Sequence, residues 1–308
     1  FMNDIAATNL DEVMEYANNS VLGVDDAGSF GDSPSGNPTY QGFGSHRVRG
    51  MEATRARNYF EWNLPINTYN IGRIEDSRGP NSVLFGIGSA GGTVNASTKQ
   101  PVFGRSMQSG TLMTDNFGSL RGTLDFNRSL LNDKLGLRLD LVTGHTKSSR
   151  LFAFSDSDQA FLSTKYRLFD KTTVRAEYER GKLRENVQRV GTLLDVVTGW
   201  LAAGRPTVAN AIAANAALGI GRFSAARRVE YIGNNGSLID FSLQNTSTGT
   251  LEQVPPELAD YDVASGGPGA IRNTKFNTDS AFIEQQVGKR LFLEFAYNHQ
   301  DLNFVANQ

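Results

Sequence analysis

The chain contains no cysteine among its 308 residues and only three widely spaced histidines, His46, His145 and His299. Disulfides, thiolate metal sites and a cysteine nucleophile are therefore excluded, and a histidine metal cluster or catalytic triad has no support. No run of about 18 apolar residues occurs, so no membrane-spanning helix is expected. The formal net charge of −2 provides no general attraction to nucleic acid. The opening Phe1-Met2-Asn3-Asp4 has neither the basic nor the apolar part of a secretory signal, so we expect a processed N-terminus or further chain before residue 1. No nucleophile-base pair or carboxylate dyad has local support, so the chain does not look like an enzyme.

Turn and strand formers are abundant, with 32 glycines and 10% aromatics. The stretch Arg78-Gly79-Pro80-Asn81-Ser82-Val83-Leu84-Phe85-Gly86-Ile87-Gly88-Ser89-Ala90-Gly91-Gly92 contains the G-x-G-x-x-G spacing at Gly86, Gly88 and Gly91. A dinucleotide site requires a helix after the glycine turn and an acidic residue about 20 positions on. The chain instead continues as Thr93-Val94-Asn95-Ala96-Ser97-Thr98, a short β-branched strand, and later as Ser109-Gly110-Thr111 without an acid. No nucleotide, metal or other cofactor is expected.

Residues 1–104 mix short elements. Thr8 to Ala17 predicts a short amphipathic helix with Leu10, Val13, Met14 and Ala17 on one face. Gly23 to Ser45 reads as loop, and strands are expected at His46–Met51, Ile71–Ser77 and Thr93–Thr98. From residue 105 the pattern changes to period two. In Leu135-Gly136-Leu137-Arg138-Leu139-Asp140-Leu141 every leucine falls on one face and both charges on the other. Similar alternation marks 107–115, 120–128, 161–168, 173–180, 281–287 and 291–297. Short turns at 130–134, 169–171 and 288–290 interleave with longer connections, the longest at about 183–277, where Thr192–Ala203 and Pro206–Leu218 look helical. Such asymmetry, with strands near the ~9–11 residues needed to cross a bilayer, predicts an antiparallel transmembrane β-barrel. Asp125, Arg138, Asp140, Lys165, Arg175, Glu177, Glu179, Glu284 and Glu294 would then face the lumen and the leucines lipid. A soluble all-β binding or adhesion protein shares this alternation, and a passive porin-like channel shares the barrel pattern.

The ordered series Ile71-Gly72-Arg73-Ile74-Glu75-Asp76-Ser77-Arg78-Gly79-Pro80-Asn81-Ser82-Val83-Leu84-Phe85-Gly86, then Gly91-Gly92-Thr93-Val94-Asn95, resembles the plug signature of TonB-dependent outer-membrane receptors. Arg47-Val48-Arg49-Gly50 is similar to the family's earlier R-G strand. Phe85 stands where the family usually has tyrosine, and Asp76-Ser77 replaces an apolar pair. The resemblance implies a membrane all-β protein with a mixed α/β plug, here residues 1–104, inside a barrel of roughly 22 strands. Residues 105–308 would supply about seven of these. It implies import of a scarce nutrient such as a ferric siderophore or cobalamin across the bacterial outer membrane, gated by the plug. The implied partners are outer-membrane lipid, a small-molecule or metal-chelate ligand, and a TonB energy-transducing protein acting through a segment before residue 1. Gly79, Gly86, Gly91 and Gly92 are expected to form tight plug turns. Tyr59, Phe60, Trp62 and Phe85 are the expected ligand contacts. Arg49 and Arg78 are expected to lock plug to wall, with Glu177 and Glu179 as the wall carboxylates.

Overall fold

The computed structural model describes residues 2, 4–18, 20–22, 46–49, 51–79, 89–186, 228–232, 238–242, 268–269 and 271–306. The chain divides into two compact units, Phe1–Val187 with Gly266–Gln308, and Gln188–Ser265. The first begins with α1 (Leu10–Met14), β1 (Ser20–Leu22), β2 (His46–Val48), β3 (Met51–Arg57), β4 (Phe60–Glu61), a 3-10 turn (Thr68–Asn70), β5 (Ile71–Arg78) and β6 (Gly92–Thr98). These strands form one mixed sheet in the order β1-β2-β3-β6-β5, with β4 beside β3. Only β3 and β6 run parallel.

A second sheet comes next, which we call the wall. Its strands are β7 (Met107–Thr114), β8 (Leu120–Leu130), β9 (Leu135–Lys147), β10 (Phe154–Phe169) and β11 (Thr172–Asn186). In the second unit, β12 (Arg228–Ile232) and β13 (Leu238–Ser242) form an antiparallel hairpin. The wall then resumes with β14 (Ile271–Val287) and β15 (Leu291–Ala306), giving the order β15-β14-β11-β10-β9-β8-β7. Every neighbouring wall pair is antiparallel, and the sheet is open, with β7 and β15 at its edges. The helices expected at 192–203 and 206–218 lie outside the described residues.

The N-terminal layer is built by ordinary local rules. Asn9 Oδ1 accepts from the Glu12 amide at 2.9 Å, and a Glu12 carboxylate oxygen accepts from the Thr8 amide at 2.6 Å, a reciprocal cap that starts α1. The cap residue is Asn9, one position later than Thr8. Leu10, Val13 and Met14 are buried as their spacing predicts. Leu10 and Met14 join Trp62, Leu64, Ile66, Ile71, Val94 and Ala96 in a core that also takes in Leu183 and Phe276 from the wall. The layer and the wall therefore share one apolar core.

The wall has two chemically different faces. Leu124, Leu139, Leu162, Ile283 and Phe295 stay exposed on the face away from the N-terminal layer, while Arg138, Asp140, Arg175, Glu177 and Glu179 are buried on the other. Asp125, Lys165 and Glu284 share that inner face; Glu294, opposite Glu284 on the edge strand β15, is on the same side but uncovered. Four strands are much longer than their apolar alternation suggested: β10, β11, β14 and β15 run 16, 15, 17 and 16 residues. All four are extended at the end away from the short turns. There the outward positions turn polar, as at Asp156, Asp158, Lys182, Lys275 and Asp301, so the hydrophobic signal stops although the hydrogen-bonded ladder continues.

Two glycines allow close approach. Gly181 lies opposite Phe276, whose buried ring occupies the space a side chain at 181 would need: a Cβ there would come within 2.2 Å of Phe276 Cε1 and Cζ. Gly92 has φ +113 and opposes Arg78, and a Cβ would sit 2.2 Å from the Ser77 carbonyl oxygen. Gly79, at φ +85, begins the turn and Gly91 is buried near its end; Gly86 and Phe85 lie outside the described residues. Gly92→Ala combines a forbidden dihedral with a backbone clash, so we expect a loss above about 3 kcal/mol in the N-terminal layer. Limited proteolysis in detergent checks this: cleavage within residues 71–98 should accelerate while the wall stays protected.

Candidate functional site at the interface between the N-terminal layer and the wall

The interface starts at a two-residue turn. Asn58 (φ +48) and Tyr59 (φ +65) reverse the chain between β3 and β4, with Arg57 opposite Phe60. Two successive positive φ angles define the mirror-image hairpin turn, which asparagine tolerates well at the first position and tyrosine poorly at the second. Asn95 secures the strained residue by accepting from the Tyr59 amide at 2.8 Å. The turn directs Arg57 and Asn58 into the wall.

Glu179 on β11 is 2% exposed and takes three donors from the N-terminal layer. Arg57 pairs with it, Tyr69 donates its hydroxyl at 2.7 Å, and Asn70 donates its side-chain amide at 2.9 Å. The Arg57 guanidinium lies 4.5 Å from the Trp62 ring centroid and 5.5 Å from that of Phe161, so the buried cation is flanked by aromatic faces. Burial and the neighbouring Glu179 charge push the Tyr69 hydroxyl well above its ordinary value, keeping the proton it donates. Two residues along β11, Glu177 accepts from Asn58 Nδ2 at 3.0 Å, from Thr98 Oγ1 at 2.8 Å, and from Arg175.

A second cluster joins the end of β6 to β8 and β9. Asp125 and Asp140 stand directly opposite each other on these strands, an arrangement that repels. Lys99 Nζ reaches between them, 3.0 Å from Asp125 and 3.2 Å from Asp140, and Arg138 donates to Asp125 at 2.6 Å and to the Gln100 carbonyl at 3.1 Å. Asn127 grips the Val102 amide and the Val102 and Arg105 carbonyls at 2.8–2.9 Å, fixing the path into β7. At the opposite edge, Gln300 of β15 bonds the Glu61 carbonyl at 2.9 Å and the Asn63 amide at 3.3 Å. Polar ties thus run from β8 to β15.

Among the expected site residues, the structure brings Glu177 and Glu179 to this interface, and the arginine that meets Glu179 is Arg57. Arg49, exposed and at φ +53, occupies the turn between β2 and β3, and Arg78 donates to Asp76 in its own strand at 2.8 Å. Arg78 therefore lies on the edge strand β5, and Arg49 in a turn beside the central strand β3. Trp62 is 3% exposed and packs on Arg57, which withdraws it from any surface. Phe60 is half-buried against Phe282 of the wall, 6.2 Å between ring centroids. Tyr59 is 42% exposed, and its hydroxyl donates to Glu75 at 2.8 Å. Burial pushes the Glu75 carboxyl up, but donors from Tyr59, Arg73 and Asn95 outweigh it and hold the group below its usual range. Sequence reasoning missed Asn58, Tyr69, Asn70 and Lys99. Asn58 alone carried a usable signal, since Arg-Asn-Tyr-Phe between two strand segments fits a tight hairpin.

Neutralising one member of a buried pair strands the other, at about 3–5 kcal/mol. Glu179→Gln should therefore destabilise the interface strongly, because the amide still accepts from Tyr69 and Asn70 but leaves Arg57 uncompensated. Adding Arg57→Met should recover a large part of the loss. Denaturant unfolding of the two single variants and the double variant gives the coupling; simple additivity would show that the two residues act independently.

No family model and no curated protein matches the chain. Among solved structures it is similar to the ferric-catecholate import receptor Fiu from E. coli K12 in its open form, with 15% identity and a TM-score of 0.61 over 99% of this chain and 38% of that one. The siderophore receptor PiuA from Acinetobacter baumannii gives 13% identity and a TM-score of 0.66 over 99% and 36%. The ferripyoverdine receptor of the outer membrane of Pseudomonas aeruginosa, bound to ferripyoverdine, gives 13% and 0.61 over 99% and 33%. The chain spans 33–38% of the length of these receptors. Over that span it has the fold of TonB-dependent siderophore receptors of the bacterial outer membrane.

Proposed function

We propose that the protein is a TonB-dependent outer-membrane receptor that imports an iron chelate, with residues 1–104 as the plug and residues 105–308 as part of the surrounding barrel. The observation that carries this reading is the convergence of Arg57, Tyr69, Asn70, Asn58 and Thr98 of the N-terminal layer on the buried Glu177 and Glu179 of the wall's inner face. A passive pore needs no such packed inner layer, and a soluble sandwich would not leave leucine and phenylalanine bare on its outer face. An iron chelate is favoured over cobalamin as cargo because the similar solved structures include a ferric-catecholate receptor and a ferripyoverdine receptor.

The plug blocks the lumen while the β11 carboxylates hold it, and ligand enters from the end where the wall strands extend beyond their apolar band. Tyr59 is the aromatic residue we assign to ligand contact, since it keeps an exposed ring. Trp62 we assign instead to the Arg57–Glu179 pair. Energy has to come from another membrane, because ATP is absent at this one; a TonB protein supplies it by pairing with an extended segment of the receptor. Arg49 and Arg78 remain candidate contributors to plug release, through the sheet edge and turn they occupy.

The test uses the full-length protein in a strain stripped of other iron receptors. Uptake of radiolabelled ferric siderophore should saturate with concentration and cease when the proton motive force is collapsed. Uptake that persists and stays linear would establish a passive pore. In the same strain, Glu179→Gln with Glu177→Gln should admit large antibiotics that the wild type excludes, measured as a fall of several-fold in inhibitory concentration.

A further inference from the structure

We propose that a recess between the N-terminal layer and the wall binds a small oxyanion that still carries a proton, of the hydrogen phosphate or bicarbonate type. The inference goes beyond iron-chelate import and needs only the packing of the layer on the wall. The recess lies between Asp11, Arg55 and Asn67 of the layer and Arg121, Gln159 and Glu185 of the wall, and its volume is about 190 Å³. At ~30 Å³ per water, this accommodates one tetrahedral oxyanion with a few waters. Pockets for drug-sized ligands run to roughly 300–1,000 Å³, so a ferric chelate does not fit.

Among the described residues, three guanidinium groups line the recess against two carboxylates. Arg55 pairs with Asp11 at 3.5 Å, and Arg272 donates twice to Glu185, at 2.8 and 3.1 Å. Arg121 is the third, and it is 7% exposed. Its stem passes over Gly144 of β9, where a Cβ would come within 3.2 Å of Arg121 Cγ, so the glycine makes room for the buried side chain. Arg121 Nη2 donates to a neutral acceptor, Asn67 Oδ1, at 2.6 Å, while Nε has no partner and the group forms no ion pair among the described residues. Glu12 of α1 acts on Arg121 through space, but its oxygens are taken up by Thr8 and Asn9 at 2.6–3.1 Å and it does not line the recess. A buried cation without a bonded countercharge is costly, so an anion seated beside it is stabilised.

Gln159 selects among anions. It is 5% exposed, its Nε2 donates to Ser157 Oγ at 2.8 Å, and its Oε1 is left without a partner. The recess thus combines an unmatched donor, Arg121 Nε, with an unmatched acceptor, Gln159 Oε1. Chloride and sulfate only accept, so they answer the first and leave the second stranded. Hydrogen phosphate and bicarbonate accept from a guanidinium through one oxygen and donate through a hydroxyl, so a single small body meets both. Water also meets both, but it leaves the guanidinium charge uncompensated, whereas the bond from arginine to an oxyanion is charge-assisted.

The experiment is thermal unfolding of the detergent-purified full-length protein, titrated with phosphate, bicarbonate, sulfate or chloride at constant pH and ionic strength. Wild type should show a saturable rise in Tm with phosphate and bicarbonate, as for any ligand held only by the folded state, and none with sulfate or chloride. Arg121→Gln should raise the half-saturating phosphate concentration about tenfold or more, the equivalent of one charge-assisted contact. In chloride alone the same variant should melt no lower than wild type, because it removes an uncompensated charge; a merely structural arginine would show a loss there. Arg121→Lys should keep a response to phosphate, and Gln159→Leu should respond to phosphate and sulfate alike. Lys289→Gln with Arg290→Gln, which removes two charges at a short turn, should behave as wild type. The absence of any saturable response, an unchanged response in Arg121→Gln, or sulfate as effective as phosphate on wild type would overturn the proposal. So would a response that appears only with a ferric chelate, which would assign the recess to the cargo. Heat-modifiable gel mobility of each variant reports separately on the barrel, so a failed membrane reading is distinguishable from a failed anion site.

Discussion

Two carboxylates on one strand, Glu177 and Glu179, govern how the parts of this chain fit together. A buried carboxylate is costly unless donors surround it, and among the described residues the wall supplies only Arg175. The remaining donors come from residues 57, 58, 69, 70 and 98, far apart in sequence and gathered only when the N-terminal sheet is folded. The wall thus requires the inner layer to satisfy its charge, and the inner layer requires the wall to complete a core that includes Leu183 and Phe276. Neither is a finished object alone. This mutual dependence gives the interface a small number of strong, buried contacts in place of many weak ones.

The same contacts set how the interface responds to water. Charge-assisted bonds shielded from water are strong, but they weaken sharply once water enters, because solvent replaces the partner at little loss. An interface held by packing alone would give way gradually under load. One held by Arg57 between two aromatic faces and a carboxylate should yield in a single step after hydration begins.

The sequence made some of this legible and hid the rest for physical reasons. Period-two alternation located all seven wall strands, because outward apolar and inward polar positions differ most across the apolar band. The same signal failed beyond the apolar band: at Asp156, Lys182, Lys275 and Asp301 the outward positions are polar, so the alternation is lost although Leu183 and Phe276 still face inward and the backbone ladder goes on. The inward charges were readable as a set, including Glu177 and Glu179, since strand parity fixes the face. Their partners were not. Arg49, Arg57 and Arg78 are equivalent as letters, and the choice of Arg57 depends on a hairpin turn at Asn58-Tyr59 and on β3 lying next to β6 in parallel, a pairing with no local signature. Trp62 shows the same difficulty from the other side: its letter does not reveal that the ring lies 4.5 Å from the Arg57 guanidinium.

The long strands have a mechanical meaning of their own. About ten residues suffice to cross the hydrocarbon layer, whereas β10, β11, β14 and β15 have five to seven more. At ~3.3 Å per residue and a typical barrel tilt, the surplus forms a stiff parapet of roughly 15 Å above the lipid. Its height is set by the hydrogen-bonded ladder and not by side-chain packing, so it holds its length even where the outward side chains turn polar.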